Sequence, residues 1–272
     1  MTTATLLPGL VLVGAPRSGT TTLATALATH PEVAFSLRKE VEYFDLYYDR
    51  GPDWYAAQFP DSPGMRVEAT PTYLSDGEAL SRIARDLPHT RFVAVLREPV
   101  SRAWSQYWFF TQLGIEPRSW RRALRDEARL GREDPVGYLW RGRYAEQLGR
   151  WDAEVGPDRL LVLLFDDLVA RPAEVLQQVC AFGGLTEGLA EVPTRSVNPS
   201  ARPWSRRLTH LLATPDAGRL RRRALLLSSS RRRQPSLPHA ERRELAREFS
   251  DDKALLERRL GRALPPSWWP ER

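Results

Sequence analysis

The turn Gly14-Ala15-Pro16-Arg17-Ser18-Gly19, followed by Thr20, Thr21 and Thr22, places one guanidinium and four hydroxyls within nine residues. Ahead of it residues 9–13 are apolar and rich in Val and Leu, and behind it residues 20–29 carry helical spacing. A strand that turns into a helix in this way leaves backbone N–H groups unsatisfied and a positive dipole end converging on one spot, which is an anion site. A second arrangement of the same kind follows. The β-branched run 91–96 leads through Arg97-Glu98-Pro99 into the helical pattern 100–110, which puts Ser101 and Ser105 one turn apart on one face. A guanidinium and a hydroxyl there can converge on another anion.

Positioning two such sites requires alternating strands and helices. A third apolar run, 160–165, is followed by Asp166-Asp167 and a helical stretch over 172–182 opened by Pro172. Three strand–loop–helix units predict a parallel sheet with helices on both faces, in which ligands bind beyond the C-terminal strand ends. Residues 35–54, 70–74 and 138–151 are rich in aromatics and read as irregular, and 193–207 read as a surface loop. Trp268 and Trp269 are expected to pin the last helix.

Composition narrows the chemistry. With 272 residues, 42% hydrophobic and 27% charged, the chain suits one ordinary folded domain. One cysteine, Cys180, excludes an internal disulfide and a cysteine-held zinc, and fits a reducing compartment. The apolar stretch 6–15 is broken by Pro8 and Gly9 with no basic residue before it, so neither leader nor membrane span is expected, and the location expected is the cytoplasm. The net charge is +6, and residues 201–272 hold 18 Lys plus Arg against 8 Asp plus Glu. Within them lie two arginine triplets, at 221–223 and 231–233, which attract polyanions or a phosphorylated small molecule.

The first loop has the length of the nucleoside-triphosphate loop G-x-x-x-x-G-K-[ST], but Thr20 stands where the lysine belongs and the basic residue, Arg17, sits inside the turn. A triphosphatase would lose its main charge on the terminal phosphates. The sequence instead resembles the sulfotransferases that use 3′-phosphoadenosine 5′-phosphosulfate (PAPS). The run from Gly14 to Thr21 is similar to their 5′-phosphosulfate loop, and Arg97-Glu98-Pro99-Val100-Ser101-Arg102-Ala103-Trp104-Ser105 to their 3′-phosphate motif. His30-Pro31, Lys39-Glu40-Val41-Glu42-Tyr43-Phe44-Asp45, Thr70-Pro71-Thr72-Tyr73 and Arg143-Tyr144 with Leu148 and Trp151 resemble the heparan-sulfate-modifying branch and its bacterial relatives.

The resemblance implies an α/β, P-loop-like parallel sheet flanked by helices on both faces in a single domain over 1–272, with the basic segment 201–272 completing the nucleotide site. It implies PAPS as co-substrate and no metal. In-line sulfuryl displacement needs a fixed cation beside the departing phosphate oxygen and a base for the acceptor proton. By resemblance Arg17 is the cation, Glu40 the base with Glu42 as its alternative, and Arg17, Ser18, Gly19, Thr20, Thr21 and Thr22 hold the 5′ end. Arg97 and Ser105, with Arg232 or Arg233, take the 3′-phosphate. Glu42 and Tyr73 are assigned to the acceptor.

The glycosaminoglycan enzymes carry a lysine beside the Pro-x-Tyr segment, where this chain has Ala69, so a small-molecule or carbohydrate acceptor is expected in place of a sulfated polysaccharide. Tyr47, Tyr48, Trp54, Trp108 and Tyr138 are further aromatics for an acceptor pocket or for the core. The competing readings are a P-loop kinase or nucleotide phosphotransferase and, through the arginine-rich tail, a nucleic-acid binder, for which no reader motif is present. No nucleic-acid partner is expected. The sequence sets neither the oligomeric state nor oxygen against nitrogen as the sulfated atom.

Overall fold

The three apolar runs become the middle and one edge of a parallel sheet. The computed structural model describes residues 7–186 and 234–269. Five strands, β1 (Leu10–Gly14), β2 (Val33–Phe35), β3 (Met65–Ala69), β4 (Arg91–Leu96) and β5 (Leu160–Leu164), lie in the order β2-β3-β1-β4-β5, every pair parallel. All five residues of β1 and the last five of β4 are buried, as strands covered on both faces must be, and for that reason they read as unbroken apolar runs.

Of the described residues, 7–97 and 144–186 form one compact unit and 98–143 and 234–269 another. In the first, α1 (Thr20–Leu27), α7 (Phe165–Ala170) and α8 (Pro172–Gly183) cover one face. Leu10, Leu12, Val67, Val93, Val95 and Leu163 meet Leu23, Leu27, Leu168, Leu176 and Val179 there. Side chains alternate along a strand, so Phe92 points to the opposite face. It meets the ring of Trp151 on α6 (Tyr144–Glu154) edge-on at 5.1 Å. The Trp151 indole N–H is satisfied by the Leu74 carbonyl at 3.1 Å. Two further helices of this unit are α2 (Gly51–Ala56) and α3 (Gly77–Asp86), the latter capped by Asp76, which accepts from the Ala79 N–H at 2.9 Å.

The second unit holds α4 (Pro99–Gln112), α5 (Trp120–Leu130), α9 (His239–Arg247) and α10 (Ser250–Leu260). Glu98 caps α4 by accepting from the N–H groups of Val100 and Ser101, at 2.9 and 2.7 Å, and pairs with Arg242 of α9 at 3.2 Å. Tyr107, Trp108, Trp120 and Tyr138 form one core cluster, and Val100, Ala246 and Phe249 another against which Trp269 packs. Trp268 is fully buried in this unit.

Several expectations are corrected. Two strands, 33–35 and 65–69, are additional to the three apolar runs; a helix over 144–154 begins inside the stretch 138–151 read as irregular, and 71–75 is a 3₁₀ turn. The apolar run 160–165 ends one residue early, and Asp166 and Asp167 stand in the first turn of α7 and not in a loop, where their charge opposes the helix dipole favourably. The loop 193–207 and both arginine triplets lie outside the described residues.

Candidate active site

Every strand of the sheet is followed at its C-terminal end by a residue that enters one neighbourhood of the first unit: Arg17 after β1, Glu40 after β2, Thr70 after β3, Arg97 after β4 and Phe165 after β5. The anion loop is shaped by Gly19, whose φ of 86° is open to glycine and which lies so close to α7 that a Cβ would meet Phe165 and Leu168 at 3.0 and 2.9 Å. The helix it opens, α1, has no side-chain cap on Gly19 and no acidic residue in its first turn. Thr20 is buried, and Thr21 and Thr22 are half-buried. The Ser18 hydroxyl is buried with no hydrogen-bond partner among the described residues. Such an orphaned hydroxyl needs an explanation.

Arg17 and Arg97 are brought together. Arg97 donates from Nη1 to the Arg17 carbonyl at 3.0 Å, stands 4.7 Å over the Phe165 ring, and accepts at its own carbonyl from the Tyr144 hydroxyl at 2.9 Å. Burial, followed by the charge of Arg97, lowers the Arg17 guanidinium to about 10, while the carboxylate of Glu40 acts in the opposite direction. Two cations held together out of water repel each other, and a bound anion relieves that repulsion. The pair, the orphaned serine and the open helix start therefore fit a phosphosulfate.

Glu40 and Glu42 lie on the segment after β2 and, like Arg17, adopt left-handed backbone, with φ of 62°, 57° and 68° for residues 40, 42 and 17. Non-glycine residues persist there only where their surroundings hold them, and such positions cluster at functional sites. The hold on residues 40–45 comes from the end of β3 and the turn after it. The Glu40 N–H donates to the Ala69 carbonyl at 3.0 Å, the Glu42 N–H to the Thr70 hydroxyl at 3.3 Å, and the Phe44 N–H to the Tyr73 hydroxyl at 3.3 Å. The Thr72 hydroxyl donates to Asp45 at 2.6 Å, and Arg82 to the Phe44 carbonyl at 2.7 Å. Lys39 pairs with Glu40 through Oε1, and Arg38 pairs with Glu42 at 3.3 Å. Burial and then the like charges of Asp45 and Glu40 raise the Glu42 carboxyl above the ordinary range.

Tyr73, expected to bind the acceptor, is fully buried, with its hydroxyl turned to Phe44 and its ring edge-on to that residue at 5.7 Å. It supports the segment from behind and presents no face to an acceptor. Trp108 and Tyr138 are buried in the second unit, whereas Tyr47 and Trp54 remain partly exposed beside Arg50, which lies over both rings. Ser105 is buried on α4 of the second unit, one turn from Ser101. Arg232 and Arg233 lie outside the described residues. Sequence reasoning missed Phe165 as the ring beneath Arg97 and Gly19, and Thr70 and Thr72 as tethers. Among the described residues no group of three or more His, Cys, Asp or Glu is arranged to hold a metal ion, and no helix is long and apolar enough to cross a membrane.

Beneath the segment, Glu68 of β3 is fully buried and its carboxyl is pushed up to about 7 by that burial, against the opposing effect of hydrogen bonds from Tyr55 and Thr70. The other titratable groups facing it are Tyr73 and Asp45. In the unfolded chain the same group titrates near ~4.3. Its contribution to stability is therefore complete below that value and is lost as pH rises through about 7. Melting temperatures measured from about pH 5 to about pH 8 should fall more steeply for wild type than for Glu68→Gln; parallel curves would remove Glu68 as the source.

A family model described as the Sulfotransferase family matches residues 47–188, just over half of the chain. The chain is 27% identical over 279 residues to the bifunctional heparan sulfate N-deacetylase/N-sulfotransferase 1 of Caenorhabditis elegans, covering 97% of this chain and 31% of that protein. It is 34% identical over 184 residues to the heparan sulfate glucosamine 3-O-sulfotransferase 6 of Mus musculus, covering 65% and 52%. It thus spans about a third to a half of the length of these curated relatives. The crystal structure of a sulfotransferase from Alicyclobacillus acidocaldarius shares the fold, with a TM-score of 0.73 over 96% of this chain and 98% of that one at 22% identity.

Proposed function

Since the chain belongs to the sulfotransferase family, we propose that it transfers the sulfuryl group of PAPS to a hydroxyl or amine of a small-molecule or carbohydrate acceptor, with Glu40 as general base and Arg17 stabilising the leaving phosphate. The observation that carries this reading is the half-buried Arg17, held against Arg97, which donates to its carbonyl at 3.0 Å, next to the buried and unpartnered hydroxyl of Ser18. PAPS, when bound, supplies the sulfuryl group and leaves as adenosine 3′,5′-bisphosphate. The chain's own residues do the rest. Arg17, Ser18, Gly19 and the hydroxyls of Thr20, Thr21 and Thr22 would hold the 5′ end, and the fixed guanidinium opposes the negative charge that grows on the departing oxygen. Arg97 is assigned to the 3′-phosphate, as the resemblance of its motif implies.

Glu40 takes the acceptor proton in this reading, while Lys39 holds its Oε1. Glu42 lies beside the acceptor in this reading. The relatives' names tie two of them to heparan sulfate, but the alanine at 69 and the paired carboxylates Glu42 and Asp45 favour a less anionic acceptor. The single buried cysteine, Cys180, supports a reducing, cytoplasmic setting.

Transfer of label from ³⁵S-PAPS to a panel of phenols, amines and oligosaccharides tests the reaction, and failure with all of them in a protein that does not bind the nucleotide overturns it. Isothermal titration with adenosine 3′,5′-bisphosphate tests the site. Arg97→Ala should weaken binding by ~1.5–3 kcal/mol, the range for a hydrogen bond to a charged group. Unchanged affinity takes Arg97 out of the site.

A further inference from the structure

The segment that carries Glu40 has no regular structure of its own, yet it holds two side chains in left-handed backbone within three residues. Its tethers meet at one place. Thr70, whose N–H is fixed to β1 through the Leu12 carbonyl at 3.0 Å, accepts from the Glu42 N–H and donates its hydroxyl proton to Glu68 Oε2 at 3.1 Å. A hydroxyl has one proton. Giving it to Glu68 turns the lone pairs of Thr70 toward Glu42. On the other side Tyr55 of α2 donates to Glu68 Oε1 at 2.6 Å, while its ring stacks on Tyr43 at 4.5 Å and 12° and meets Phe44 edge-on at 5.3 Å.

Glu68 therefore orients two groups that grip the segment, one through a main-chain N–H and the other through the faces of its aromatic residues. It does so fully buried, with no cation in ion-pair distance among the described residues. Burying a carboxyl on two hydroxyls alone is costly, and an apolar residue on β3 would cover the same space without that cost.

We propose that Glu68 is a positioning residue for sulfuryl transfer, fixing through Thr70 and Tyr55 the strained backbone from Glu40 to Phe44 and so the direction in which Glu40 presents its carboxylate. The role rests on the reading of Glu40 as the base. It predicts that Glu68 matters to the chemical step more than to the nucleotide, since its tethers act on residues 40–44, the segment that carries the base.

Hydrogen exchange on the full chain reads the positioning directly. In Glu68→Gln the carboxamide can no longer accept from both hydroxyls, and the amides of residues 40–46 should exchange at least about fivefold faster, the worth of one hydrogen bond, with the sheet amides unchanged. Release of labelled sulfate from ³⁵S-PAPS to water, which needs no acceptor, should slow about 10- to 100-fold. Affinity for adenosine 3′,5′-bisphosphate should hold. Thr70→Val should give the same signature and Thr70→Ser, which restores the hydroxyl, should reverse it, a comparison that stands if Glu68→Gln does not fold. A wild type that neither binds adenosine 3′,5′-bisphosphate nor transfers label to any acceptor overturns the reaction reading. Unchanged exchange over residues 40–46 in Glu68→Gln and Thr70→Val, beside a wild type that binds the nucleotide and transfers label, overturns the positioning role, as does exchange that rises equally across the sheet.

Discussion

Glu40→Gln should bind adenosine 3′,5′-bisphosphate as wild type does and lose turnover by about 10²- to 10⁴-fold, the range of a positioned general base. Glutamine keeps the length of the side chain and can still meet Lys39 through its carbonyl, so the segment is left in place while the group that takes the proton is removed. Glu42 provides the control. Its carboxyl is held above the ordinary range by burial and by its acidic neighbours, and it pairs with Arg38. Glu42→Gln should therefore cost less than Glu40→Gln, with the loss appearing in KM for the acceptor. Single-turnover transfer from ³⁵S-PAPS, measured beside nucleotide titration, checks both. A Glu40→Gln protein with wild-type turnover would move the base to another residue.

Loss of the Arg17 guanidinium should be nearly as severe. In Arg17→Ala the departing oxygen faces only main-chain donors and hydroxyls, and about 10²- to 10³-fold in turnover is expected to go, the measure of one preorganised group aimed at developing charge. Nucleotide affinity should fall by less than turnover does. The substitution also removes the repulsion that Arg17 and Arg97 exert on each other in the empty site, which offsets part of the lost attraction to the ligand. Steady-state rates and titration on one preparation separate the two quantities. Equal losses in both would mean that Arg17 binds the ground state and does nothing further for the leaving group.

The parts of the fold that were legible in the sequence are those where pattern and burial agree. β4 runs from Arg91 to Leu96 as read, because both faces of that strand are covered and every residue after the first is apolar. β3 escaped notice because its middle carries Arg66 and Glu68, and a fully buried glutamate breaks the apolar run by which an inner strand is recognised. β2, at three residues, is too short for any alternation to register. The helical pattern over 100–110 corresponds to α4, which starts one residue earlier at Pro99 with Glu98 as its cap, whereas Phe165, read as the end of the apolar run, and Asp166-Asp167, read as a loop, open a helix directly from the strand.

For the site, the two arginines and the loop hydroxyls could be read from local spacing, since the anion loop is made by one stretch of chain. The tethers could not. Thr70, Thr72 and Tyr73 act on residues 27 or more positions away, and nothing in the type of a threonine announces that its hydroxyl will meet a distant N–H. Tyr73 was singled out for the acceptor on resemblance, and its burial makes it a support. Phe165 has no polar atom to suggest a part in an anion site, and only its place at the end of β5, under Arg97 and against Gly19, reveals one.

The left-handed backbone at residues 17, 40 and 42 bears on any attempt to harden this protein by selection. Glycine at each of the three would relax about 1–2 kcal/mol of local strain, so a screen that rewards only survival on heating would drift toward glycine there and enrich well-folded, inert variants. Heat resistance and catalysis make opposing demands on these few torsion angles, and a useful library would hold those codons fixed.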